Sequence, residues 1–123
     1  MKKVNLRDMA VNQLVKRFAE LAVEQDNAAL ANTTGEVNRL FRLLMAISDE
    51  LKSRAGDQRR ALLPLYEHPN LQVRVKAAKA TLAIAPQAAR DVLQAVVDSK
   101  QQPQALEASM SLWNLERGVY KPT

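Results

Sequence analysis

The sequence predicts an all-α fold of about six helices, arranged as three stacked antiparallel hairpins. Hydrophobic residues make up 47% of the chain, aromatic residues only 4%, and glycine occurs three times, so the core must consist mainly of Leu, Val and Ala. Leu and Ala favour helix. Apolar side chains also recur at helical spacing, and the links between these stretches are short. A length of 123 residues indicates one domain that spans positions 1–123.

Capping signals precede the first two helices. Asn5 is expected to cap a helix that ends near Ala31. Its apolar stripe consists of Val11, Leu14, Val15, Phe18, Leu21 and Ala22. Thr33 and Glu36 stand at the spacing of a capping box, which predicts the start of the second helix. The stripe of this second helix consists of Val37, Leu40, Phe41, Leu44, Ile47 and Leu51.

Proline and asparagine mark the next two helices. Asp57 is expected to cap the third helix, which Pro64 should kink because a proline removes one backbone hydrogen bond. Asn70 follows a short turn at His68 and Pro69, and it is expected to cap the fourth helix. The main apolar positions of these two helices are Leu62, Leu63, Leu65, Tyr66, Leu71, Val75, Ala78 and Leu82.

Pro86 and Pro103 suit the first turns of the fifth and sixth helices. The fifth helix carries Ala89, Val92, Leu93, Val96 and Val97. In the sixth helix, one apolar side consists of Leu106, Met110 and Trp113, with Leu112 and Leu115 adjoining. Trp113 is expected to pack in the core. The outward positions of this helix are expected to be Gln104, Glu107, Ser111 and Asn114.

The third and fourth helices recur weakly in the fifth and sixth, at a shift of about 31 residues that is typical of helical repeat arrays. This shift aligns Leu62 with Leu93, Leu65 with Val96, Val75 with Leu106, Ala77 with Ala108, and Leu82 with Trp113. A single helical hairpin exposes apolar surface on both sides, and hairpins bury that surface by stacking.

Residues 61–86, ALLPLYEHPNLQVRVKAAKATLAIAP, resemble a HEAT repeat. The resemblance rests on Pro64, the turn at Pro69 and Asn70, the pair Val73 and Arg74, the pair Ala77 and Ala78, and Leu82. The next unit differs and suits an end cap, since Gln104 and Ala105 stand where Val73 and Arg74 would. The whole chain is similar to a small bacterial family of HEAT-like domains of unknown function. The resemblance implies a HEAT-like α-solenoid fragment, a fold that mostly holds partners, and it supplies no activity.

No group of residues forms a catalytic, cofactor-binding or metal-binding motif, so we expect a non-enzymatic protein without a cofactor. The chain has no cysteine and one histidine, His68, whereas a metal site needs several converging ligands. Arg74 is expected to pair with an acidic side chain. The start of the chain does not resemble a signal peptide, and no apolar run is long enough to span a membrane. We therefore expect a cytoplasmic protein without membrane contact.

Four basic residues form the candidate interaction surface, namely Arg39, Arg42, Lys76 and Lys79. Each pair shares one face of its helix, and in a stack of hairpins these helices are expected to line a concave wall. We expect a protein-interaction module, with a scaffold, adaptor or immunity-like role and another protein as its partner. The alternative is a nucleic-acid backbone binder that uses this basic face, in keeping with a net charge of +5. A small-ligand carrier, or an enzyme without a recognisable motif, is the third hypothesis.

Overall fold

The computed structural model describes residues 5–123, which contain five α-helices, two 3-10 helices and no strand. The α-helices are α1 (Val11–Leu30), α2 (Thr34–Ser53), α3 (Leu71–Ala80), α4 (Pro86–Ser99) and α5 (Gln104–Glu116). The 3-10 helices span Leu6–Asp8 and Gln58–Glu67. The all-α class is confirmed, and so is the number of about six helices when the longer 3-10 helix is counted. The lysines at positions 2 and 3, which belong to the start that does not resemble a signal peptide, lie outside the described residues.

The chain divides into two compact units, Met1–Ala61 and Leu62–Thr123. The expectation of one domain over 1–123 stays a prediction. In the first unit α1 packs along α2. The buried apolar side chains of these two helices include Leu14, Phe18, Leu21, Leu40, Leu44, Ile47 and Leu51. Phe41, predicted to belong to the buried stripe of α2, is 45% exposed. None of the described helices combines the length and the apolar character that crossing a bilayer requires.

The first helix begins later than its sequence predicts. Asn5 does act as a cap, because its side chain accepts a hydrogen bond from the backbone N–H of Arg7 at 3.0 Å, but the helix that it caps is a single 3-10 turn. The backbone is extended at Met9 and Ala10, and α1 starts only at Val11. The side chain of Gln13 then accepts from the Ala10 N–H at 2.8 Å, which satisfies one of the free donors at this end.

A single arginine at the end of α2 holds this first turn in place. Arg54 Nη2 donates to the backbone carbonyls of Leu6 at 3.0 Å and Met9 at 2.7 Å. Its Nε donates to Glu50 Oε2 at 2.9 Å, so a carboxylate one helical turn back orients the guanidinium. The planar fork of an arginine can serve several acceptors at once, which suits carbonyls of a non-helical segment.

The capping box predicted at Thr33 and Glu36 does not form. Thr33 is the residue that precedes α2, but its hydroxyl donates to the Ala28 carbonyl at 2.9 Å and so binds the end of α1 instead. The Glu36 carboxylate is bonded to Arg39. A hydroxyl and a carboxylate can each reach several hydrogen-bonding neighbours. The sequence spacing of Thr33 and Glu36 therefore does not by itself determine their partners.

The third predicted helix is a ten-residue 3-10 helix rather than a kinked α-helix. Pro64 lies inside it and has no N–H for an α-helical bond, and its ring disfavours the α-helical ladder on its N-terminal side. Asp57 precedes this segment with a left-handed backbone, at φ 52°. Its carboxylate accepts from the Arg59 N–H at 3.3 Å and from Arg59 Nε at 2.9 Å. Asp57 therefore caps this segment as expected, but the segment is a 3-10 helix.

In the second unit α4 packs against both α3 and α5. The core of this unit consists of Val75, Ala78, Leu82, Ala89, Leu93, Val96 and Ala108. Asn70 caps α3 as predicted, since its side-chain oxygen accepts from the backbone N–H groups of Gln72 at 2.8 Å and Val73 at 3.2 Å. Pro86 occupies the first turn of α4 as predicted, whereas Pro103 is the residue that precedes α5.

Replacing Asn70 by Ala is expected to lower the free energy of unfolding by about 1 kcal/mol, because two backbone N–H groups lose their acceptor at a half-buried site. Urea unfolding followed by circular dichroism measures this change. Asn5→Ala is the matched control, because it removes the same kind of cap from an exposed 3-10 turn, and we expect it to cost less than half as much. Equal effects of the two substitutions would contradict this account of α3.

Candidate interaction surface

Arg39 and Arg42 lie one turn apart on α2, and both side chains are exposed. Arg39 Nε donates to Glu36 Oε2 at 3.0 Å, and its Nη2 donates to the other carboxylate oxygen. These hydrogen bonds lower the pKa of Glu36 and raise the pKa of Arg39. Arg42 makes no salt bridge within residues 5–123. Of these two arginines, Arg42 is therefore the one whose charge is not offset by a carboxylate of the described residues.

Lys76 and Lys79 share one face of α3, as predicted, but they point at a carboxylate. Lys76 Nζ lies 2.7 Å from Glu107 Oε2, and Lys79 Nζ lies 3.2 Å from the same oxygen. The Lys76 side chain is only 12% exposed and that of Lys79 is 37% exposed. Glu107 thus links α5 to α3. Because one carboxylate serves two ammonium groups, a single positive charge is left over, on the side of the more exposed Lys79.

Burial and attraction act in opposite directions on the pKa values of this cluster. Burial is the larger influence on Lys76, and it lowers the pKa of that side chain although Glu107 favours the charged form. Burial would raise the pKa of Glu107, but the two ammonium groups together outweigh it, so the pKa lies below the ordinary 4.5. The carboxylate is therefore held ionised in the fold, and its contribution to stability is lost on acidification.

The inward face of α5 is formed by small side chains. Ala105 and Ala108 are buried, while Leu112 and Leu115 on the same side are half-buried against the core. Gln104, predicted to point outward, is also buried, and its Nε2 donates to Gln72 Oε1 at 3.0 Å. The outward prediction is wrong for Glu107 as well, since this side chain reaches α3. Alanines on the inward face let α5 approach its neighbours closely.

As a result, the larger apolar stripe of α5 faces outward. Leu106, Met110 and Trp113 are 59%, 54% and 56% exposed, and they stand at positions i, i+4 and i+7 of one helix. This spacing aligns them on one side over about 10 Å of helix. We call these three residues the α5 stripe. The prediction that Trp113 packs in the core is wrong, because Ala108 and the leucines of the other face occupy that place.

Two features extend the α5 stripe toward the C-terminal end. The guanidinium carbon of Arg117 lies 4.3 Å from the centroid of the Trp113 ring, which is a cation–π distance. Beyond the helix, Val119 is 68% exposed and Tyr120 is 48% exposed. Their backbone N–H groups donate to the Asn114 carbonyl at 3.0 Å and 3.3 Å, so this tail is hydrogen-bonded to the end of α5.

His68 and Arg74 have local structural partners. His68 is half-buried in its turn, and its Nδ1 accepts a hydrogen bond from the Asn70 N–H at 3.0 Å. Arg74 Nε donates to the His68 backbone carbonyl, and this bond replaces the acidic partner that its sequence context predicts. Residues 5–123 contain no group of three or more His, Cys, Asp or Glu that could hold a metal ion.

The two predicted basic pairs belong to different units, Arg39 and Arg42 to the first and Lys76 and Lys79 to the second. The basic concave wall therefore stays a prediction. The α5 stripe was missed as a surface because its period also fits a core-facing helix. The signal that could have found it is the second stripe on the same helix, in which the inward alanine at position 108 aligns with the buried Ala77.

These features define an all-α protein in which the last described helix presents an exposed apolar stripe. Residues 12–116 match the family described as "Domain of unknown function (DUF2019)", and the chain belongs to this family. It is also similar to a protein of known crystal structure, the protein RPA1889 from Rhodopseudomonas palustris CGA009, with 52% sequence identity and a TM-score of 0.94. The match covers 98% of this chain and 100% of that one. No match was found among curated proteins.

Glu107→Gln is expected to lower the free energy of unfolding at neutral pH by about 1–2 kcal/mol, because the two lysines then lack their shared carboxylate. The folded protein holds the pKa of Glu107 below its ordinary value of 4.5. The stability that Glu107 adds relative to glutamine is therefore fully present above about pH 4.5. It should disappear as the pH falls through the folded pKa. Urea unfolding across this pH range measures both effects.

Glu116→Gln on the same helix is the control for this substitution. Glu116 is exposed and forms no salt bridge within residues 5–123, so its loss should leave stability nearly unchanged at every pH. If both glutamine variants showed the same pH dependence, the ion pairs of Glu107 would not be its source.

Proposed function

We propose that this chain is a non-enzymatic protein-interaction module and that the α5 stripe is its main contact surface. The observation that carries the proposal is the exposure of Leu106, Met110 and Trp113 on one side of an ordered helix. Tryptophan, methionine and arginine are enriched in protein interfaces, and Trp and Arg are also frequent among the residues that contribute most to binding. Trp113 with Arg117 stacked upon it is therefore the expected centre of the contact.

The way in which α5 is held supports this role. Its inward alanines lie in or against the core, and Glu107 ties it to α3 through two ion pairs. A helix that is already rigid loses little conformational freedom when a partner binds, so more of the contact energy appears as affinity. The stripe is thus presented on a scaffold rather than on a mobile loop.

We further propose that the helices are HEAT-like repeats of an α-solenoid fragment. In support, α3 has the expected Asn70 cap, and Val73, Ala77, Ala78 and Leu82 are buried. In the aligned repeat, Leu106 and Trp113 are exposed where Val75 and Leu82 are buried, so no hairpin among the described residues covers the outer face of this unit. Terminal repeats usually carry a polar outer face. An apolar outer face at this position is a reason to expect a protein that covers it.

The basic residues support a protein partner more than a nucleic acid. Arg39 is bonded to Glu36, and Lys76 and Lys79 share Glu107, so two of the four positive charges are locally offset. We propose that Arg39, Arg42, Lys76 and Lys79 contribute a polar margin to the interaction rather than a phosphate-binding wall. A cytoplasmic location is part of this proposal, in keeping with a chain that has no cysteine.

Met110→Glu is expected to abolish the recovery of protein partners when the tagged chain is used as bait in native lysate of its own organism. A carboxylate in the middle of the α5 stripe would have to lose its hydration in the complex, which costs several kcal/mol. Met110 is 54% exposed, so the substitution should leave the fold intact, and circular dichroism checks this. The measurement is a quantitative comparison of the proteins recovered by the two baits.

Ala95→Glu is the matched control, because it places the same charge at an exposed position of α4, outside the α5 stripe. It should recover the same proteins as the unmodified bait. Nuclease treatment and a high-salt wash separate protein partners from nucleic acid. Recovery of nucleic acid that salt releases, together with normal behaviour of the Met110→Glu bait, would favour the alternative function.

A further inference from the structure

We propose that the α5 stripe binds an acidic amphipathic helix of another protein, which lays apolar side chains on the stripe and places carboxylates at both of its ends. This inference rests on the proposed function, since it names the chemistry of the partner that the same surface takes. The charges at the two ends of the stripe select an acidic partner, because apolar area alone does not distinguish one partner from another.

Two basic side chains and one acidic side chain stand at the C-terminal end of the stripe. Arg117 follows Trp113 by four residues, on the same side of the helix, and stacks over its ring. Lys121 is exposed and follows directly on the tail that is hydrogen-bonded to Asn114. Glu116 is the acidic side chain. None of these three charged groups forms a salt bridge within residues 5–123, so together they present one surplus positive charge.

The same surplus occurs beside the N-terminal half of the stripe. Glu107 adjoins Leu106 in sequence and precedes Met110 by three residues, so it lies on one flank of the stripe. Lys76 and Lys79 reach its carboxylate from α3, at 2.7 Å and 3.2 Å. Two ammonium groups against one carboxylate leave one positive charge. The side chain of Lys79 is the most exposed of the three, so this charge is accessible to a partner.

The spacing of the two surplus charges suits a helical partner. Glu107 and Arg117 are ten residues apart, which corresponds to about 15 Å along the axis of α5. A partner helix that lies along α5 covers this distance in about ten residues of its own, with apolar side chains at helical spacing between its acidic ends. A partner strand would need the edge of a sheet, and residues 5–123 contain no strand.

The apolar stripe favours a protein over other anionic partners. Nucleic acid binds basic surfaces through its phosphates, and this leaves three large apolar side chains without a role. A bilayer takes up an apolar helix face to a depth of about 5–10 Å. The stripe offers it little area, because its side chains are between 54% and 59% exposed and the opposite side of α5 is buried. A net charge of +5 attracts an acidic protein and repels a second copy of this chain.

A library of random peptides is the probe for this chemistry, displayed as segments of about 16 residues, which is enough for about four helical turns. The full chain selects peptides at about 0.05 M NaCl, where exposed charges are weakly screened. Peptides that the Trp113→Ala variant also retains are discarded. Trp113 is 56% exposed, so this variant should fold, and circular dichroism checks it. The remaining peptides should carry a net negative charge, with Asp or Glu on both sides of apolar residues at helical spacing.

Fluorescence anisotropy with one selected peptide then tests the basic end at Arg117. Arg117→Glu should weaken binding by about tenfold or more at low salt, and by less at about 0.5 M NaCl, because salt screens exposed charges. Arg117→Lys keeps the charge and should stay within about threefold of the unmodified chain. Arg90→Glu changes the net charge by the same amount at an exposed position of α4 and should have little effect. Replacing the acidic residues at either end of the peptide by their amides should weaken binding as well.

Three results would overturn the inference. One is a set of Trp113-dependent peptides without net negative charge, and another is an affinity that Arg117→Glu leaves unchanged. The third is a selection that yields no Trp113-dependent peptide, with or without Trp113-dependent binding of a DNA duplex or of phosphatidylglycerol vesicles. None of these decides the wider function. If the Met110→Glu bait still loses proteins from lysate, the interaction module stands and only the chemistry of its partner is wrong.

Discussion

α5 lies against the rest of its unit through alanines, and the exposure of its larger side chains depends on this close approach. Ala108 is fully buried in the core of the second unit and Ala105 is 5% exposed, so larger side chains would not fit between the helices without displacing them. With its small face inward, α5 must turn Leu106, Met110 and Trp113 toward solvent. The same orientation brings Glu107 to the two lysines of α3. Core packing, the ion pairs and the exposed surface are therefore set by one contact.

This orientation changes which surface is the main candidate for function. The charge pattern in the sequence points to basic side chains on α2 and α3. In the structure, however, Lys76 and Lys79 form ion pairs with Glu107, and Arg39 forms one with Glu36. What the molecule presents instead is an aromatic and aliphatic stripe with Arg117 stacked at its end. Such a surface is costly to leave in water, because the removal of apolar area from water is favourable.

Capping residues in the sequence predicted the correct hydrogen bonds where only one kind of partner is within reach of the side chain. Asn70 sits directly before α3, and the nearest free donors are the first N–H groups of that helix, so its cap follows from the sequence. The Thr33 hydroxyl can reach more than one acceptor, and in the structure it donates to the Ala28 carbonyl at the end of α1. Arg74 likewise bonds to the carbonyl of His68 rather than to an acid. Side chains that can reach several partners are decided by the surrounding structure.

The sequence by itself determined the helical class, the number of helices and most of their ends, because propensity, apolar period and caps act within a few residues. It did not determine which side of α5 is buried. That helix carries two apolar sides, one with Leu106, Met110 and Trp113 and one with Ala105, Ala108 and the two leucines that follow. Both sides satisfy the helical period, so only the packing of α3 and α4 could choose between them. The side of α5 that packs against α3 and α4 is the one with small side chains, because it allows the closest approach. The larger side chains are therefore exposed.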